Sequence, residues 1–111
     1  MNSKDICRNA NVEIRQSGET LTLKISGVFN KSTTPQIQQC CKLLDKKLMV
    51  KKVVLDFDRV SEVDTSAFAC IIGFMKQHLN SGAQIYVSRL KDPAKELLRI
   101  LKIEKIVRVE Q

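Results

Sequence analysis

The chain has 111 residues, 43% of them hydrophobic and 28% charged, with a formal net charge of +7. That length fits one domain able to bury its own core, and no apolar run approaches the roughly 18 residues of a membrane span. The opening residues, MNSKDICRNA, lack the apolar stretch of a secretory signal. The expectation is a cytoplasmic protein without membrane insertion, with a flexible N-terminus over residues 1–10 and one folded domain over residues 11–111.

The charge excludes less than it suggests. Lys46, Lys47, Lys51 and Lys52 bracket a helix end and a strand start, and Lys95, Arg99 and Lys102 recur at helical spacing opposite an apolar stripe. Cations in such places are ordinarily solvated. One Tyr and four Phe leave little to stack on bases, so no nucleic-acid partner is expected. The four cysteines, Cys7, Cys40, Cys41 and Cys70, form no Cys-x-x-Cys pair. Their spacing suits neither a zinc site nor a secreted disulfide framework. Cys40 and Cys70 fall in apolar helical stretches, where core packing is the expected role.

In chain order, Val12 and Ile14 alternate with polar residues, Ser17-Gly18-Glu19 supplies a turn, and Leu21 to Ile25 alternates again. This pattern predicts a hairpin ended by Ser26-Gly27. Thr34-Pro35 opens a helix whose Ile37, Cys41, Leu44 and Leu48 share one face, with Cys40 beside them. Val53 to Phe57 reads as a central strand buried on both sides. Val60 and Val63 then lead through a short loop to Asp64. From Ser66 to Met75 nearly every residue is apolar, which predicts a helix buried all round and capped by Ser81-Gly82. Gln84 to Ser88 is a further strand, Asp92-Pro93 opens a third helix, and Ile106 to Val109 suits a closing edge strand. Helices between strands imply crossovers and a partly parallel sheet.

Little in the chain supports catalysis. His78 is the single histidine, and no cysteine has a marked base beside it, so no nucleophilic constellation can be assembled. Asp56, Asp58, Glu62 and Asp64 cluster after a strand, where carboxylates are usually surface groups and caps rather than cation ligands. None of the four glycines lies in a phosphate-binding loop. No enzyme activity, cofactor or metal is expected. Asp64-Thr65-Ser66 stands out instead. With Asp64 as cap, Thr65 and Ser66 occupy the first two helical positions, where free N–H groups and the helix dipole stabilise added negative charge. A phosphate on Ser66 is tolerable there, although Asp64, Thr65 and Ser66 acting simply as caps is the ordinary reading of such a run.

The run from Val53 to Leu90 resembles the STAS domain family of bacterial anti-sigma factor antagonists. The likeness lies in an apolar strand ending at Asp56, then Asp64-Thr65-Ser66-Ala67-Phe68 opening an apolar helix, then Gly82, then Ile85 to Val87. Upstream, Ser26 to Thr33 resembles the family's Gly-x-Leu-Asp-x-x-Thr turn, and Pro93 to Ile103 is similar to its closing helix. The resemblance implies an α/β fold, a single domain with a mixed four- to five-stranded sheet and helices packed mainly on one face. It also implies that Ser66 matches the serine phosphorylated by a partner anti-sigma factor and serine kinase. In the cycle that the resemblance implies, the unphosphorylated protein would bind that kinase, the phosphorylated one would release it, and a serine phosphatase would reset it. Asn30 and Thr33, with Asp64, Thr65, Ala67 and Phe68, match the partner-binding surface. Two positions depart from the pattern: Asn30 stands for the usual Asp, and Ala67 for the usual Gly. A different reading is a non-catalytic STAS subunit docking on an ATPase of a lipid or solute transport complex, which requires no phosphorylatable serine. Nothing in the chain forbids a dimer.

Overall fold

In a computed structural model, residues 4–8, 11–42, 50–78, 83–91, 96 and 108–110 are described. They form strands β1 (Lys4–Arg8), β2 (Val12–Ser17), β3 (Thr20–Phe29), β4 (Lys52–Val63), β5 (Gln84–Ser88) and β6 (Arg108–Glu110), with helices α1 (Thr34–Lys42) and α2 (Thr65–His78). The strands make one six-stranded sheet in chain order. The first two junctions are antiparallel and the last three parallel, so the sheet is mixed as expected. The β2–β3 pair is the anticipated hairpin, and Gly18 supplies its positive φ of 60°.

The sheet is one-sided. Val12, Ile14, Leu21, Leu23, Ile25, Val53, Leu55, Phe57, Ile85 and Val87 are buried, and the residues between them are half-buried or exposed. Such alternation means that the helices cover a single face. Strand β4 was expected to be buried on both faces. Instead Val54 and Asp56 are half-buried on the open side. The apolar run was misleading because Val54 also lies on that open face.

Helix α2 is likewise not buried all round. Ala67, Phe68 and Ile71 are fully buried, while Ala69, Cys70 and Gly73 are exposed. Its apolar composition exceeds what one covered face requires. Cys70 is therefore an exposed free thiol rather than a core residue. Cys40 is buried, but it is disulfide-bonded to Cys7, a pairing that the spacing did not suggest. In α1 the buried stripe is Thr34, Ile37 and Cys40, and the rest of the anticipated helix, residues 43–49, lies outside the described residues.

Three boundaries moved. Residues 4–8, placed by sequence in a flexible terminus, form edge strand β1, with Ile6 and Cys7 packed against the core. Strand β3 does not end at Ser26-Gly27. Gly27, at φ 79°, carries it through an irregularity beside Val28 and on to Phe29. The loop anticipated after Phe57 is a continuation of β4, which pairs with the far end of β3 through Arg59, Val60, Glu62 and Val63 across two register shifts. The third helix and the Gly82 cap lie outside the described residues, apart from Glu96, which is helical.

Candidate functional site

The longer β3 and β4 bring two distant turns together. Phe29 pairs with Val63 at the end of both strands, and the Asp64 N–H donates to the Phe29 carbonyl at 2.8 Å. The turn after β3 and the turn after β4 therefore emerge side by side. Three buried rings underlie them. Phe29 meets Phe57 and Phe68 edge-on at 5.1 and 5.2 Å, and Phe57 stacks on Phe68 at 5.0 Å. Offset and edge-to-face pairs of this kind add to the stabilisation from burial.

Asp64 caps α2. Its Oδ1 accepts the Ser66 N–H at 2.9 Å and the Ser66 hydroxyl at 2.9 Å, while its carbonyl accepts the Ala67 N–H at 3.0 Å. Thr65 and Ser66 are thus the first and second helical residues, at the positive end of the helix dipole. Asp64 is exposed and Ser66 half-buried. The Ser66 N–H and then its hydroxyl hold the Asp64 carboxyl below its ordinary pKa, against an opposing effect of desolvation that outweighs the lesser help from the positive charge of Lys31.

The neighbouring turn is closed on itself. The Asn30 Oδ1 accepts the N–H groups of Ser32 at 2.8 Å and Thr33 at 3.1 Å. Thr33 returns the bond by accepting the Asn30 N–H at 3.0 Å, and its hydroxyl donates to the Val28 carbonyl at 2.8 Å. This is the reciprocal logic of a capping box, made with Asn and Thr. Buried Thr34 completes it, donating its hydroxyl to the Lys31 carbonyl at 3.2 Å as α1 begins.

The structure thus brings Asn30, Thr33, Asp64, Thr65 and Ser66 to one end of the sheet. Ala67 and Phe68, placed by sequence in the partner-binding surface, are fully buried. They point into the core because the helix turns its third and fourth positions away from the exposed cap. For the same reason the methyl group of Ala67 does not crowd that surface. Asn30 keeps the acceptor geometry of the usual Asp, because both accepted bonds use a single side-chain oxygen. Lys31, which sequence reasoning did not single out, adds a weak electrostatic pull on Asp64 that depends on the β3–β4 register and leaves no mark in local sequence. The carboxylates of β4 do not converge. The Asp56 Oδ1 accepts the Asp58 N–H, and Asp58 pairs with Arg89 at 3.7 Å.

Similar architecture occurs in known proteins. An anti-sigma factor antagonist from Mycobacterium paratuberculosis superposes with a TM-score of 0.73 at 11% identity, over 89% of this chain and 83% of that one. A putative anti-sigma factor antagonist from Thermotoga maritima gives 0.73 at 13% identity, over 88% and 84%. The Bacillus cell fate determinant SpoIIAA, in its phosphorylated form, gives 0.66 at 13% identity, over 90% and 91%. At such identities the likeness speaks for the fold. Residues 11–111 also match the STAS domain, nearly the whole chain, and the protein therefore belongs to the STAS domain family.

Proposed function

We propose that this protein is a phosphorylatable binding module of the anti-sigma factor antagonist kind, with Ser66 as the switch. The observation that carries the reading is the position of the Ser66 hydroxyl. It is half-exposed at the second residue of α2, bonded to the Asp64 cap and beside the Asn30 turn. The names of the structural neighbours add support, since one of them is described in a phosphorylated form.

A kinase transfers the γ-phosphoryl group of ATP to the Ser66 oxygen, which gives up its proton and with it the bond donated to Asp64. The ester adds about −1.5 to −2 units of charge next to a carboxylate already held ionised. Phosphate and Asp64 then compete for the N–H groups of the first turn, and Lys31 is the cation placed to offset them. The fold withstands this because Ala67, Phe68 and Ile71 anchor α2 from the opposite side. A partner packed over the turn does not, because it meets a new anion that it must desolvate unpaired. On this reading the module acts by being bound and released rather than by catalysis. Its partners are an anti-sigma factor kinase and a resetting phosphatase. No helix among the described residues is long and apolar enough to cross a membrane.

Incubation with the cognate serine kinase and ATP, followed by intact mass, tests the reading. Wild type gains one phosphate, Ser66→Ala gains none, and Ser66→Asp loses kinase binding. A wild type that stays unmodified favours a constitutive docking subunit, such as that of a transport ATPase.

A further inference from the structure

The Ser66 site makes no use of Cys7 or Cys40, yet the fold brings them together from two different elements. Cys7 lies on β1 and Cys40 on α1, and their Cα atoms are 5.6 Å apart across a sequence separation of 33. That spacing lies within the range a disulfide spans. A β-bulge makes the meeting possible. Strand β1 pairs Asp5 with Arg15 but Cys7 with Ile14, leaving Ile6 as the extra residue. Without that residue, Ile6 would face Ile14 and Cys7 would point to the open side of the sheet beside Glu13. The bulge restores Cys7 to the covered side, opposite fully buried Ile14, where α1 packs. Cys7 remains half-buried, whereas Cys40 is 2% exposed. Cys7 is therefore the more accessible of the two residues and Cys40 the more enclosed. Strand β1 is a five-residue edge strand, tied to β2 by its ladder and by the Arg8–Glu13 ion pair, and among its described side chains Ile6 and Cys7 pack against the core.

We propose that Cys7 and Cys40 form a reversible thiol–disulfide couple that latches β1 to α1, exchanging with small disulfides of the oxidised-glutathione class. The accessible Cys7 thiolate attacks the small disulfide, forming a mixed disulfide and expelling one thiolate. The Cys40 thiolate then attacks the Cys7 sulfur and expels the second. Two protein thiols lose two protons and two electrons, and one small disulfide becomes two thiols. In a reducing compartment the pair stays open, and closure reports exposure to oxidant. Opening the latch loosens β1 and leaves the edge of β2 free to pair with another strand.

The test uses the full chain in glutathione buffers of graded oxidised-to-reduced ratio. Free thiols are alkylated, peptides are mapped by mass without reduction, and deuterium uptake is followed over residues 4–8. The expected result is a Cys7–Cys40 link in oxidising buffer, with Cys41 and Cys70 alkylated, that opens as reduced glutathione rises. Amides of β1 should exchange about tenfold more slowly in the linked form. Cys41→Ser should form the same link, and Cys7→Ser should exchange at the reduced rate in both buffers. The proposal is overturned if Cys7 stays alkylatable in oxidising buffer, or if the link goes to Cys41 or Cys70. It is equally overturned if excess reduced glutathione leaves the link closed, or if β1 exchanges alike in both states.

Discussion

Two turns lie side by side at one end of the sheet, and both open helices, yet they are built differently. The Asn30–Thr33 turn uses its polar atoms on itself: the amide oxygen takes two backbone donors, and the threonine hydroxyl both accepts and donates. The Asp64–Ser66 turn spends one carboxylate oxygen on one residue, and that carboxylate is exposed. The first turn is a scaffold, in which loss of the Asn30 side-chain oxygen removes an acceptor from two backbone N–H groups. The second can exchange its side-chain bonds for others, because the core fixes the helix from its far side. The switch proposed at Ser66 therefore lies on the second turn and its frame on the first.

The strongest way to break this contrast is to remove what the turns share. Phe68→Ala takes one ring from the aromatic floor beneath both and should cost about 3–5 kcal/mol in urea unfolding. A loss under about 1 kcal/mol would mean that the rings do not anchor the site. Next is Asn30→Ala, which strips two accepted bonds from the scaffold turn and should cost about 1–2 kcal/mol. Asn30→Asp keeps both acceptors and should stay within about 0.5 kcal/mol of wild type by the same measurement. Ser66→Ala, on the switch side, should also change stability by no more than about 0.5 kcal/mol. If Ser66→Ala proved costlier than Asn30→Ala, the assignment of scaffold and switch would be reversed.

The smallest effect is acidic. The Asp64 carboxyl is held below its ordinary pKa, so its contribution to stability is complete above the pKa of the unfolded chain. That contribution fades as pH falls through the depressed folded value. NMR titration of the Ser66 amide should move with a midpoint below the usual Asp range, and Asp64→Asn should flatten part of the acid slope of stability. Glu13, lowered chiefly by its bond from Arg8 and also by Arg15, contributes to the same slope, and Glu13→Gln should flatten its share.

Much of this arrangement was legible in the sequence. The hairpin, the helix start at Thr34 and the cap at Asp64 are written in alternation and capping chemistry, which are local. What was missed depends on contacts between distant segments. Gly27 reads as a strand end, yet it carries β3 onward because β4 extends beside it. Residues 4–8 look like a tail, yet β2 offers them an edge. Ala67 and Phe68 sit in the recognised motif and so looked functional, but helical rotation buries both. Cys7 and Cys40 meet only because a bulge changes the face of one strand.

The most direct measurement compares the protein with its Ser66-phosphorylated form, in urea unfolding and in calorimetric titration with the kinase that modifies it. The two forms should unfold within about 0.5 kcal/mol of each other, while the phosphorylated one binds at least about a hundredfold more weakly. Equal affinity in the two forms, or a phosphorylated chain that has lost its fold, would contradict the account.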